Sequence, residues 1–140
     1  MRSFKRDLRS SRTQRGTGTI EIAIVLSLVL ILTLGVLDFA LGARAYNSLT
    51  YAAREGARYA AVRSNQSRDP ATAAKIADRV RSQLVLLNEA EVSVSAEWIP
   101  SNSRNAVVKV SLSYPYKPIT RLLPLKAITL TSSSQSVIAE

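Results

Sequence analysis

Sixteen consecutive residues without a charge, Ile22–Leu37 (IAIVLSLVLILTLGVL), constrain this chain more than any other feature. Such a run belongs either in lipid or inside a core large enough to surround it. The chain has 140 residues, enough for one domain and not two; with part of that length committed to the apolar run, the remaining core must be small. The run therefore reads as membrane-spanning, where helix is the conformation that satisfies its backbone groups. From Glu21 to Asp38 such a helix rises about 25 Å. That is slightly short of a hydrocarbon core of roughly 30 Å, and Phe39–Leu41 extend it.

Charge agrees with this placement. Residues 1–16 (MRSFKRDLRSSRTQRG) carry Arg2, Lys5, Arg6, Arg9, Arg12 and Arg15 against Asp7, a net +5 out of the chain's +9. A basic cluster beside an apolar helix sets orientation, with the basic side in the cytoplasm. Nucleic acid is not an expected partner, because the other basic residues are dispersed and no nucleic-acid fold follows. The chain has no cysteine and no histidine. That excludes a disulfide scaffold, cysteine or histidine metal sites and histidine-based catalysis. No cofactor or metal is expected.

Beyond the basic leader, residues 17–61 read as one long helix, since no proline occurs before Pro70. Above the span, small and apolar residues recur at Leu41, Ala45, Leu49, Ala53, Gly56 and Ala60. This helical spacing makes a narrow stripe that another backbone can approach closely: the chain's own domain, a neighbouring subunit, or both at different heights. Arg54, Glu55, Arg58 and Arg63 follow a different face, where Glu55 can pair with Arg58. Pro70 suits the first turn of a second, amphipathic helix over Ala71–Asn88, with Ala73, Ile76, Ala77, Val80, Leu84 and Leu87 on one side.

The remainder alternates. Glu91–Trp98 places Val92, Val94, Ala96 and Trp98 on one face, and Ala106–Tyr114 does the same with Val108, Val110, Leu112 and Tyr114. Pro115, Pro118 and Pro124 interrupt a stretch holding Ile119, Leu122, Leu123 and Leu125. Ala127–Val137 reads as a third strand, apolar at Ile128 and Leu130 and then rich in serine. The predicted class is α+β: a long N-terminal transmembrane helix, a second amphipathic helix and a small three-stranded antiparallel sheet with helices on one face. The predicted organisation is a leader over 1–16, a transmembrane helix over 17–41 and an extracytoplasmic domain over 42–140 that begins with the same helix continued.

One carboxylate, Glu21, stands at the start of the apolar run, where an ionised group needs a partner. No Lys or Arg lies within the following helical turn. Cleavage between Gly16 and Thr17 would supply one, because the new amine at Thr17 would sit one turn from Glu21. A neighbour displaced along a filament could offer its amine instead. The segment RGTGTIEIAIVLSLVLILTLGVLDF resembles the processing site and helix of a type IV prepilin. A second block, AAREGARYAA at Ala52–Ala61, with Arg54, Glu55, Gly56, Ala57 and Arg58 at its centre, is similar to the region after the membrane helix in the TadE-like family. These are minor pilins, or pseudopilins, of the tight-adherence (Flp, type IVc) pilus system. The resemblance covers Gly16–Ala61 and departs at Ile22, where the family often has Phe, and at Ser27, where it often has Pro.

The resemblance implies a pilin-like fold and a single-pass protein of the bacterial inner membrane, its N-terminus cytoplasmic and its outer domain extracytoplasmic or in a pilus. It implies processing by a prepilin peptidase at Gly16 and Thr17, and a role for Glu21 in assembly. Its implied partners are other major and minor pilins, an inner-membrane assembly platform and membrane lipid, in the service of surface attachment. Three other readings compete. A secretory signal with Ala43-Arg44-Ala45 as its cleavage site would release a binding module unrelated to pili. A plain anchor would leave Glu21 without a role. An enzyme would need a pair of acids with informative spacing, and Asp69, Asp78, Glu89, Glu91 and Glu97 offer none.

Overall fold

The computed structural model describes residues 11–84, 87–120 and 128–139. Its elements are helix α1 (Ser11–Ala61), helix α2 (Ala73–Arg81), a 3-10 turn at Glu89–Glu91, and strands β1 (Ser93–Ile99), β2 (Val107–Tyr116) and β3 (Ile128–Val137). The class is α+β, as the sequence predicts. The chain divides into two units between Leu37 and Asp38.

The first unit consists, in its described part, of the N-terminal stretch of α1. This helix begins at Ser11, earlier than the expected Thr17; no proline interrupts residues 11–16, and Gly16 weakens the helix without ending it. From Ile20 to Leu37 its large apolar side chains other than Leu34 are exposed, among them Ile24, Leu28, Ile31 and Val36. An apolar surface this continuous is not stable in water and calls for lipid or partner helices. The two hydroxyls within it are satisfied by the helix itself. Ser27 donates to the Ala23 carbonyl and Thr33 to the Val29 carbonyl, each at 2.8 Å. Among the described residues, α1 is the one helix long and apolar enough to cross a membrane.

The second unit is built on the rest of α1. Its small stripe, Ala45, Leu49, Ala53, Gly56 and Ala60, is buried in the domain's own core with Ala52 and Ala57. Over this stretch the stripe packs on the chain's own sheet and on α2, while Leu41, at its membrane end, is only half-buried. The sheet runs in the order β1-β2-β3, all antiparallel. β2 is central because its inner residues Val108, Val110 and Leu112 are the most apolar set of the three strands, and all three are buried. Burying each such side chain is worth about 1.5–3 kcal/mol. β1 adds Val94, Ala96 and Trp98 to the same face, half-buried. β3 contributes Leu130 and then serines. Ser132 is buried and donates to the Thr50 hydroxyl of α1 at 3.2 Å.

Several boundaries differ from expectation: β1 begins at Ser93, after the 3-10 turn at Glu89–Glu91, and β2 runs on through Pro115 to Tyr116. α2 is nine residues long and ends at Arg81. Beyond it the chain tightens, with Leu84 N–H donating to the Arg81 carbonyl, so that Leu84 reaches the core from a turn. The N-cap is Thr72, whose hydroxyl accepts from Lys75 N–H at 3.3 Å, so Pro70 precedes the helix and does not occupy its first turn. Leu122, Leu123 and Leu125, read from the sequence as apolar loop positions, lie outside the described residues. At the other end of the sheet Asn105 takes φ 63°, a left-handed value that asparagine tolerates. The C-terminal segment closes the domain: Ile138 N–H donates to the Ala106 carbonyl at 2.8 Å and Ala139 N–H to the Ala61 carbonyl at 2.9 Å.

Candidate functional site

The block at Arg54–Arg58 lies on α1 where the helix crosses the domain, and the helix divides it. Gly56 and Ala57 are buried, Glu55 is half-buried, and Arg54 and Arg58 are exposed. Gly56 is the most closely packed of the described glycines. A methyl carbon there would stand 2.7 Å from Val80 Cγ2, 3.4 Å from Val110 Cγ1 and 3.5 Å from Ile76 Cγ2. Only glycine lets α1 come this close to both α2 and β2.

Glu55 does not pair with Arg58. Its carboxylate accepts from Arg79 Nη2 of α2 at 2.9 Å, so the ion pair ties the two helices together. Next to it the turn after α1 carries a second charged cluster. The Arg63 guanidinium lies 4.0 Å from the centre of the Tyr59 ring and 4.0 Å from Asp69. Lys75 donates to Asp69, and this bond with the ammonium charge holds the Asp69 carboxyl below the ordinary carboxylate range.

With the small stripe and Glu55 turned inward, the outward face of α1 is defined by Arg44, Asn47, Tyr51, Arg54 and Arg58, all exposed. Steps of three and four put them in one row. The three arginines have no ion-pair partner among the described residues. Arginine and tyrosine on one unpaired face are what protein interfaces favour.

The other expected site residues lie on the first unit. The Gly16–Thr17 bond is inside α1, and Glu21 is exposed on the same helix at the start of the apolar run. Among the described residues, no group of three or more acids, cysteines or histidines could hold a metal ion. A shallow open trough crosses the outer face of the sheet, lined by hydroxyls (Ser93, Ser95, Ser111, Ser113, Thr131, Ser133) and Lys109. It brings no acid together with a base or nucleophile.

Asp38, which the sequence marks as the end of the span, has tertiary partners that the sequence pattern does not reveal. Like Glu21, Asp38 is a lone carboxylate bordering the apolar run, where an ionised group needs partners. Asp38 has them: its carboxylate accepts from the N–H groups of Ile119 and Thr120 and from the Thr120 hydroxyl.

Nothing among the curated proteins or the solved structures matches the chain. A protein family does: the TadE-like proteins, associated with the Tad pilus and not a family of enzymes. The match runs over residues 16–58, from the glycine of the proposed processing bond through Glu21 and the apolar run to the last arginine of the block, and over that segment the chain is similar to the TadE-like proteins.

Proposed function

We propose that the chain is a minor pilin, or pseudopilin, of a tight-adherence (Flp, type IVc) pilus system. The match over residues 16–58 carries this reading, because it holds Gly16, Glu21, the apolar run and the Arg54–Arg58 block in one segment. The chain inserts with its basic leader in the cytoplasm, and a prepilin peptidase cuts between Gly16 and Thr17. The exposed apolar helix then holds the subunit in the inner membrane until it joins other pilins at the assembly platform. Glu21 pairs with the amine of Thr17, its own or a neighbour's, which is favourable in a low dielectric and costly for either charge alone. The row from Arg44 to Arg58 is the face left for contacts outside the membrane, since the small-residue stripe is already buried in the domain. Subunits joined by unlike faces build an open helical filament.

The burial of Ala45 and the bonds of Asp38 favour this reading over a secretory signal cleaved after Ala45, since that cut would remove part of the domain's own core. Mass spectrometry of the mature N-terminus tests the proposal. A first residue of Thr17 is the expected result. A first residue near Tyr46 would refute it in favour of the secreted module.

A further inference from the structure

Asp38 follows directly on the apolar run, and the connection after β2 takes up its carboxylate. Oδ1 accepts from Ile119 N–H at 3.0 Å. Oδ2 accepts from Thr120 N–H at 3.4 Å and from the Thr120 hydroxyl. The Tyr116 hydroxyl donates to the Asp38 carbonyl oxygen at 3.0 Å. Its ring lies over Gly42, one helical turn on, where an added methyl would meet ring carbons at 3.4 Å and 3.6 Å. Every one of these bonds converges on one residue of α1, so residues 116–120 are held at a single level of the helix.

The held segment does not bury its apolar side chain. Ile119 is 69% exposed, and Phe39, next to Asp38 on the helix, is 78% exposed. Lys117 is exposed as well, with a loose contact to Glu91 at 3.6 Å. An aromatic ring, a large apolar side chain and a lysine at the end of a spanning helix match the composition of the membrane–water interface. Three donors on its carboxylate remove the main reason for an aspartate to avoid that layer.

We propose that residues 116–120 form a lipid-contact strap. Asp38 pins them where α1 leaves the hydrocarbon, and they seat Ile119 and the Tyr116 ring in the headgroup layer, with Phe39 at the same level on the helix. The occupant is lipid and not a protein partner because the exposed side chains adjoin the run that lipid already surrounds. This inference rests on α1 spanning the membrane.

The test uses the full chain in nanodiscs of phosphatidylcholine with brominated acyl chains, whose bromines quench tryptophan within reach. Trp98 is the chain's only tryptophan. It pairs with Val108, eight residues before Tyr116 on β2, about 26 Å away along a strand. Wild-type emission should therefore be unaffected. In a Trp98→Phe background, Ile31→Trp reports the span and Ile119→Trp reports the strap. Both reporters should lose about half their emission or more on brominated lipid. Asp38→Ala should reduce the loss at the Ile119→Trp reporter at least about twofold and leave the Ile31→Trp reporter unchanged. If Ile31→Trp is quenched and Ile119→Trp is not, the strap is wrong and the span stands. If neither is quenched, the span itself fails. Undiminished quenching in Asp38→Ala would overturn the pinning by Asp38. Unchanged Trp98 emission in Asp38→Ala alone shows that the domain remains folded.

Discussion

Replacing Gly56 by alanine sets two effects of known sign against each other. In a helix interior, alanine is favoured over glycine by about 1 kcal/mol. Here the new methyl carbon would stand 2.7 Å from Val80 Cγ2, whereas carbon atoms rest at about 3.5–4.0 Å. Roughly 1 Å must be found, and the surroundings cannot give it easily. Val80 is fully buried and stiff about χ1, while Val110 and Ile76 close the other sides at 3.4 Å and 3.5 Å. Overpacking of this kind costs about 1–3 kcal/mol, so the net loss should be about 1 kcal/mol, or roughly 4–8 °C in Tm for a domain of this size. Gly42→Ala is the internal control. Its methyl would touch the Tyr116 ring at 3.4 Å, near ordinary contact, so the helix gain should survive and stability should hold or rise. Val80→Ala removes the obstructing carbon and by itself costs about 2 kcal/mol. In the double variant the overpacking is relieved while the helix gain of alanine remains, so its loss should fall short of the sum by the overpacking cost, about 2 kcal/mol. Urea or thermal unfolding of the full chain in detergent, followed by Trp98 emission, measures all four. Gly56→Ala at or above wild-type stability, or strict additivity with Val80→Ala, would refute the close approach of α1 to α2.

Exchanging Glu55 and Arg79 for glutamine, singly and together, should give a coupling below about 1 kcal/mol in the same unfolding assay, because the pair is partly solvated. Asp69 should titrate below an ordinary aspartate by NMR and return toward it in Lys75→Met. Its depressed carboxyl means that any stability it lends is present above the unfolded value and is lost as pH falls through the folded one. Arg54→Glu with Arg58→Glu should leave Trp98 unfolding within about 0.5 kcal/mol of wild type, since both side chains are exposed. The same pair should abolish co-purification of partner pilins, and retained partners would remove the outward face from the proposal. Glu21→Gln should keep membrane levels and processing at Gly16 normal and lose partner pulldown and surface attachment; wild-type adhesion would favour the plain anchor.

What the sequence revealed and what it hid follow one physical division. Patterns that depend on near neighbours were legible: the apolar run, the alternation in β2, and the antiparallel order of three strands joined in succession. The length of α2 was not, because Leu84 continues the helical spacing although the chain turns after Arg81. Periodicity cannot separate a longer helix from a turn that delivers the same side chain to the core. The inner face of β3 was obscured because Ser132 fills an apolar position through a bond to Thr50, which lies 82 residues away. Glu55 has a plausible local partner in Arg58, yet its carboxylate meets Arg79, 24 residues on. Asp38 finds Thr120 at a separation of 82. Within the candidate site, residue types and faces were readable, and the partners that tertiary packing selects were not.

The Arg54–Arg58 block shows why a short motif can hold two unlike constraints. A helix turns 100° per residue, so five consecutive positions must sample both the core and the outside. Gly56 and Ala57 are then constrained by the distance between α1 and its own domain, and substitutions there should act on folding. Arg54 and Arg58 are exposed and have no carboxylate partner among the described residues. Glu55 belongs to the first group through Arg79, despite its charge. The two halves can therefore be separated by experiment, since stability should follow the glycine and association the arginines. If reversing the arginines unfolds the domain, or enlarging Gly56 abolishes association at unchanged stability, the division of the block into a folding half and an assembly half is wrong.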